Sequence, residues 1–262
     1  MPFFLRLTKG KVDGMRRTAL LVCALMASLV LTSVTFFVAQ EDTHAATSSL
    51  SGKTVVIDPG HGGNDSGAQN SSSYSPPLWE KNQNLDVAYK LKGLLQASGA
   101  RVYMTRGGDR TGNADDCYPD DATLSNGDRY VCANSLKASH PGTYVLVSIH
   151  MNASTDKTID YTTTLYGKPR KDKALANTVF GSLSALPAAA KDTGTIATRT
   201  PYQFASGVLL KSDMPATIAE SVFITNGVEG GLLSNGTRQP QIAEALKAGL
   251  ESYFLKYPNG QP

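Results

Sequence analysis

Apolar positions along the chain follow three patterns. Thr18 to Ala39 reads TALLVCALMASLVLTSVTFFVA, without one charge, directly after Arg16-Arg17. Beyond it, short β-branched or continuous apolar runs alternate with runs whose apolar residues recur every three or four positions. Thr54-Val55-Val56-Ile57 predicts a strand ending at Asp58-Pro59-Gly60. Glu80 to Ser98 carries Leu85, Ala88, Leu91 and Leu95 at helical spacing, with Gly99 as a stop, and predicts a helix. Arg101 to Thr105, Thr162 to Tyr166 and Ala216 to Ile224 predict further strands. Tyr144 to Ile149 is almost continuously apolar, as a central strand covered on both faces should be. Ile242, Ala245, Leu246, Gly249, Leu250, Tyr253 and Phe254 form the stripe of a closing helix. Residues 109–128 and 154–160 have no period and are expected to be loops. Strand–helix alternation predicts an α/β fold, a mostly parallel sheet between helix layers, in a single domain over residues 46–262.

The uninterrupted run belongs to residues 1–45, which have the layout of an export signal: a basic flank, an apolar stretch, then small residues at Ala45-Ala46-Thr47-Ser48. At 22 residues the run is also long enough to span a bilayer. A cleaved signal and a retained N-terminal anchor are both open, and both put the domain outside the cytoplasm. A start at Met15 would leave a short basic lead before the run.

Composition removes other classes. Hydrophobic residues make up 41% of the 262 positions and 24 glycines bring the apolar share to the globular range. The formal net charge of +3 falls to +1 once the five basic and three acidic residues before position 46 are set aside. No basic field remains for nucleic acid. Of three cysteines, Cys23 lies in the apolar run, leaving Cys117 and Cys132 in a loop-rich stretch. In an exported protein such a pair is expected to form a disulfide, and it lacks the Cys-x-x-Cys spacing of a zinc thiolate site.

The candidate chemistry lies at two strand ends. His61 follows the first strand in Asp58-Pro59-Gly60-His61-Gly62-Gly63, and His150 follows the central strand in Ser148-Ile149-His150-Met151-Asn152. If both strands are parallel, both imidazoles project from the carboxyl edge of the sheet, where ligand sites of open α/β sheets lie. Two imidazoles suit Zn²⁺, which as a catalytic ion takes a third protein ligand and keeps one position open. Glu80, at the start of the first helix, is the only glutamate between the histidines, although several aspartates share that interval. Glu220 is a lone carboxylate in an otherwise apolar strand, where a charge costs several kcal/mol unless paired or beside a cation. It is the candidate base. Singly, each residue has a structural explanation: a packed histidine, a tight turn, a helix N-terminal acid, an edge-strand carboxylate.

Together these blocks resemble the zinc-dependent N-acetylmuramoyl-L-alanine amidases of bacterial cell-wall metabolism, the type with two histidines and two glutamates in its site. The resemblance runs from Thr54 to Phe254. It is carried by Val56 to Gly63 with Asp65, Gly67 and Ala68; by Glu80-Lys81 with Asn84-Leu85; and by Gly99-Ala100-Arg101-Val102 through Thr105-Arg106 and Asp109. Arg129 with Ala133-Asn134, Ser148 to Ala153, and Met214-Pro215-Ala216 leading to Glu220 and Phe223 to Asn226 complete it. The resemblance implies His61, Glu80 and His150 as Zn²⁺ ligands and Glu220 as the catalytic carboxylate. It also implies a three-layer domain around a six-stranded sheet, and hydrolysis of the amide between the lactyl group of N-acetylmuramic acid and L-alanine in peptidoglycan. The expected partners are peptidoglycan or muropeptide fragments, with no nucleic acid. Membrane contact is expected only through residues 18–39 if the leader is retained, and the expected state is a monomer.

Three departures from the family pattern stand out: a serine-rich Asn70 to Pro77 before Glu80, a long loop carrying the cysteines, and Glu220-Ser221-Val222-Phe223 where Glu-x-Gly-Phe is common. Two other functions remain in view, a non-catalytic wall-binding or regulatory relative and a zinc peptidase acting within the stem peptide. Trp79, Tyr161, Tyr166 and Tyr202 are candidates for glycan contact, Arg106 and Arg199 for a stem-peptide carboxylate.

Overall fold

Strand β1 (Lys53–Pro59) leads to a small antiparallel pair, β2 (Gln69–Asn70) and β3 (Leu78–Trp79), and then to helix α1 (Glu80–Ala97). The chain continues through β4 (Arg101–Met104), α2 (Asn126–Ser139), β5 (Thr143–Asn152), β6 (Thr163–Tyr166) and α3 (Lys173–Leu183). It ends with β7 (Tyr202–Gln203), α4 (Gly207–Lys211), β8 (Ala216–Phe223), α5 (Gly227–Ser234) and α6 (Arg238–Lys256). This is a computed structural model describing residues 48–70, 74–107, 116–119, 121–188 and 195–262. The export segment, residues 1–45, lies outside the described residues, as do Asp109 and part of the serine-rich stretch, 71–73. Among the described residues, no helix is long and apolar enough to cross a membrane.

Six strands form one sheet in the order β4-β1-β5-β8-β6-β7, parallel except where β6 runs against β8. The alternation of each strand sorts its side chains to two faces. Val55, Ile57, Val147 and Ile149 pack with Leu91 of α1, Val179 of α3 and Leu246 of α6. Val56, Leu146 and Ile218 pack on the other face with Ala133 and Leu136 of α2 and Val208 of α4. Each such buried Val, Leu or Ile contributes about 1.5–3 kcal/mol. The result is the three-layer, mostly parallel α/β architecture the pattern predicts.

The structure corrects the sequence reading in three places. The aperiodic stretch 109–128 ends early, because Ser125 caps α2 in a reciprocal capping box with Asp128. The inner face of α2 is only Arg129, Cys132, Ala133 and Leu136, too short and too polar a stripe to register as a period. Helix α3, with Leu175, Ala176, Val179 and Leu183 buried, is an element beyond those the pattern predicts. And β5 does not stop at Ile149: it runs to Asn152, so His150 is part of the strand rather than beyond it. Pairing with β8 sustains this extension, through His150 with Glu220 and Asn152 with Phe223. Two steps along β5 there match three along β8, a register shift immediately after Glu220.

Cys117 and Cys132 form the expected disulfide, tying the segment after β4 to α2. Closing a loop of 15 residues stabilises the fold by roughly 3 kcal/mol in the chain-entropy picture.

Candidate metal centre and active site

Parallel pairing sets residues in rows across the strand tips. Asp58, Ser148 and Ile218 are register partners in one row. In the next, on the same face, His150 stands opposite Glu220, and Glu220 opposite Thr163. Gly60 fills the place beside His150 on the β1 side: its N–H donates to the Ile149 carbonyl at 3.0 Å, and a Cβ there would overlap the His150 ring. Glycine is required at this position for close approach.

His61 comes next, with φ of 61°, the one positive value at a non-glycine among the described residues. For such a residue the left-handed region costs of order 1–3 kcal/mol and persists only when its surroundings enforce it. Here they do. Arg129 Nη2 donates to the His61 carbonyl at 2.8 Å, and the His61 Nδ1–Asp65 Oδ2 contact is 2.9 Å. Asp65 therefore fixes the ring so that Nε2 faces Glu80 Oε2, 3.1 Å away.

Glu80 is the first residue of α1, and its carboxylate joins both histidines. Oε1 lies 3.1 Å from His150 Nδ1 and accepts from the Met151 N–H at 3.0 Å, while Oε2 accepts from the Ala68 N–H at 2.8 Å. A Cβ on Gly67, where φ is +64°, would come within 2.6 Å of Oε2 and of the His61 ring. Burial pushes the Glu80 carboxyl up, but hydrogen bonds from His150 and His61 outweigh it and hold the group far below the carboxylate range. For His61, burial favours the neutral ring, yet Glu80 and then Asp65 raise it to about 8. His150 is likewise raised, burial being outweighed by Glu80 and by the charge of Glu220. Burial raises Glu220 itself above the ordinary glutamate range; the imidazoles pull it down and Glu80 pushes it up further.

The three donors fit a zinc ion. One donor atom from each of His61, Glu80 and His150 lies within 4.8 Å of the other two. A tetrahedral ion with ligands about 2.0–2.2 Å away spaces its donors about 3.3–3.6 Å apart, and Glu80 lies 3.1 Å from each imidazole, through Oε2 to His61 and Oε1 to His150. The set is two nitrogens and one carboxylate, and it is open on one side: the His61 and His150 side chains keep 23% and 21% of their surface, Glu80 only 5%. A cavity of about 220 Å³ opens over the histidines, bounded by Leu124, Asn126, Ser206, Val208 and Ile218. A larger one of about 510 Å³, between α3 and α6, touches none of the four site residues.

Beneath the histidines lies a network that the sequence reading did not single out. Asp58 is fully buried, paired with Arg129 Nη1 at 2.7 Å and accepting from Ser148 and Thr105 hydroxyls at 2.6 Å each. Arg106, only 1% exposed, donates to the carbonyls of Pro59, Gly60 and Lys81. It is thus a clamp on the histidine loop and not a surface group for a substrate carboxylate. The family's Ser221-Val222 departure falls in the interior: both residues are buried, Val222 in the core under α1, α3 and α6.

Residues 55–252 match a family model described as N-acetylmuramoyl-L-alanine amidase. The probable cell wall amidase LytH of Staphylococcus epidermidis is 32% identical over 213 residues, 81% of this chain and 62% of that protein. Its Staphylococcus aureus counterpart is 30% identical over 205 residues, 78% of this chain and 60% of that one. The chain thus spans about three fifths of these relatives' length. Among solved structures, the N-acetylmuramoyl-L-alanine amidase of Clostridium difficile 630 superposes with a TM-score of 0.62 at 33% identity, covering 77% of this chain and 96% of that one. The catalytic domain of CwlV from Bacillus (Paenibacillus) polymyxa gives 0.61 at 29%, covering 77% and 97%. This chain belongs to the N-acetylmuramoyl-L-alanine amidase family.

Proposed function

We propose that the protein is a zinc-dependent amidase that hydrolyses the bond between the lactyl group of N-acetylmuramic acid and L-alanine of peptidoglycan, acting outside the cytoplasmic membrane as a monomer. The observation that carries this reading is the convergence of His61, Glu80 and His150 with Glu220 in direct register beside them. His61, Glu80 and His150 would hold the ion and Asp65 would orient His61. When bound, zinc supplies Lewis acidity toward water and a carbonyl oxygen at its open position. Glu220, whose proton affinity burial raises, is suited to take a proton from the attacking water and to pass it to the departing alanine nitrogen. The four residues together argue against a non-catalytic relative.

Mass spectrometry of digested muropeptides tests this directly. The expected product is the intact stem peptide with a free alanine amine, lost on chelation and restored by Zn²⁺. Cleavage inside the stem would identify a peptidase instead, and no cleavage by zinc-loaded protein would end the proposal.

Two further outcomes follow from the site. Zinc must displace the proton that His61 holds up to about pH 8 in the metal-free protein. Apparent affinity in a chelator competition should therefore climb by at least about tenfold per pH unit between pH 6 and 8, and more steeply where His150, also raised, holds a proton too. An affinity that stays flat from pH 6 to 9 would remove His61 from the ligand set. Gly60→Ala introduces no φ strain, only a methyl group where the His150 ring lies. Zinc affinity should drop by an order of magnitude or more, as when a ligand's support is lost. A Gly60→Ala variant with unchanged affinity would show that His150 has room to spare.

A further inference from the structure

On the β6–β7 flank of the same sheet edge, an exposed arginine is held between two tyrosines. The Arg199 guanidinium carbon lies 5.2 Å from the Tyr202 ring centroid and 5.9 Å from that of Tyr161, and Nη1 donates to the Tyr161 hydroxyl at 3.2 Å. Among the described residues no carboxylate pairs with it. A free arginine loses much of its rotamer entropy on binding. Here two ring faces and a hydrogen bond already restrain the planar fork, so an incoming anion meets donors that are partly fixed.

The strand register places this group beside the site. Glu220 is the partner of Thr163, and Tyr202 of Leu165, two residues further along β6 and hence on the same face. The Tyr202 hydroxyl is pushed up by burial and then by the charge of Glu220, in keeping with that placement. The Arg199 N–H donates to the Thr162 carbonyl, next to Thr163, and the Tyr161 ring packs on Phe223 with centroids 4.7 Å apart. Moving outward from β8 through β6 to the β7 side crosses two strand spacings, about 10 Å. With the scissile amide at Glu220, an extended peptide at about 3.3–3.6 Å per residue brings its second residue about 7 Å along, and a carboxylate on that residue covers most of the rest.

We propose that Arg199, framed by Tyr161 and Tyr202, is a subsite that binds the α-carboxylate of the second stem-peptide residue and so favours stems in which that group is a free acid rather than an amide. This rests on the amidase reading above and specifies which peptide that site prefers. In a stem whose second residue is linked onward through its side chain, the α-carboxyl is the group left to be either free acid or amide.

The test compares two N-acetylmuramoyl tripeptides that differ only in that α-carboxyl, free or amidated, with the zinc-loaded enzyme. Wild-type kcat/KM should be about tenfold or more higher on the free acid, the difference lying in KM, as for a charge-assisted hydrogen bond to a partly fixed donor. In Arg199→Ala the ratio between the two substrates should collapse toward one. Arg199→Lys, which keeps the charge but not the fork, should give an intermediate ratio. A wild-type ratio near one, or a ratio that survives in Arg199→Ala, would overturn the subsite while leaving the amidase reading intact. Wild-type protein that cuts neither substrate would overturn the function, and the subsite with it.

Discussion

Glu220→Gln is expected to bind zinc as the wild type does and to hydrolyse muropeptides about 10²–10⁴-fold more slowly, the usual weight of a general acid–base. Glutamine keeps the shape of the side chain and its place opposite His150 but can neither accept nor return a proton. The carboxylate is held inside a sheet, between β5 and β8's other neighbour β6, where burial raises its proton affinity. Stability should fall little, because the surroundings of Glu220 already disfavour the charged carboxylate that glutamine replaces. The decisive comparison is zinc content against initial rate for the same preparation. Loss of both would make Glu220 a support for the metal, and loss of neither would strike it from the mechanism.

The second large effect concerns the layer below. Arg129→Met should destabilise the fold by about 3–5 kcal/mol, since it leaves the Asp58 carboxylate buried without its partner. Burial raises the Asp58 carboxyl, but the Arg129 charge and the Ser148 and Thr105 hydroxyls together hold it below its ordinary value. A carboxyl depressed in this way stabilises the fold above the ordinary aspartate pKa of about 3.9 and loses that contribution as pH falls through its lower folded value. Adding Asp58→Asn to Arg129→Met should recover part of the loss in urea unfolding at neutral pH. Strictly additive losses would mean that the pair is not coupled. Arg129→Met should also weaken zinc binding, because the same guanidinium holds the His61 carbonyl.

Much of this was legible in the sequence, for identifiable reasons. The long apolar runs of β1, β5 and β8 and the stripe of α6 are buried on both faces or along one, so period and burial agree. The two histidines are legible because they follow such runs, and Glu220 because a carboxylate interrupts one. That last argument applies equally to Asp58, which ends the apolar run of β1 and is fully buried. Its position before Pro59-Gly60 gives it the look of a turn residue. The partners Thr105, Arg129 and Ser148 are 47, 71 and 90 residues away from it, beyond the reach of any local pattern. Arg106 misleads for the opposite reason. An arginine after a short strand usually meets solvent, whereas this one is enclosed by backbone carbonyls that only the folded histidine loop brings together.

Strand β8 is the last of the sheet to be synthesised, yet it occupies the seam between β5 and β6. Until it inserts, β4-β1-β5 and β6-β7 are separate fragments, and Glu220 has no neighbour to act with. A chain still being made therefore lacks a complete site, and Glu220 joins the other three residues only with the last fifth of the sequence. A stop before residue 216 leaves those two fragments unjoined and the site without its Glu220 carboxylate.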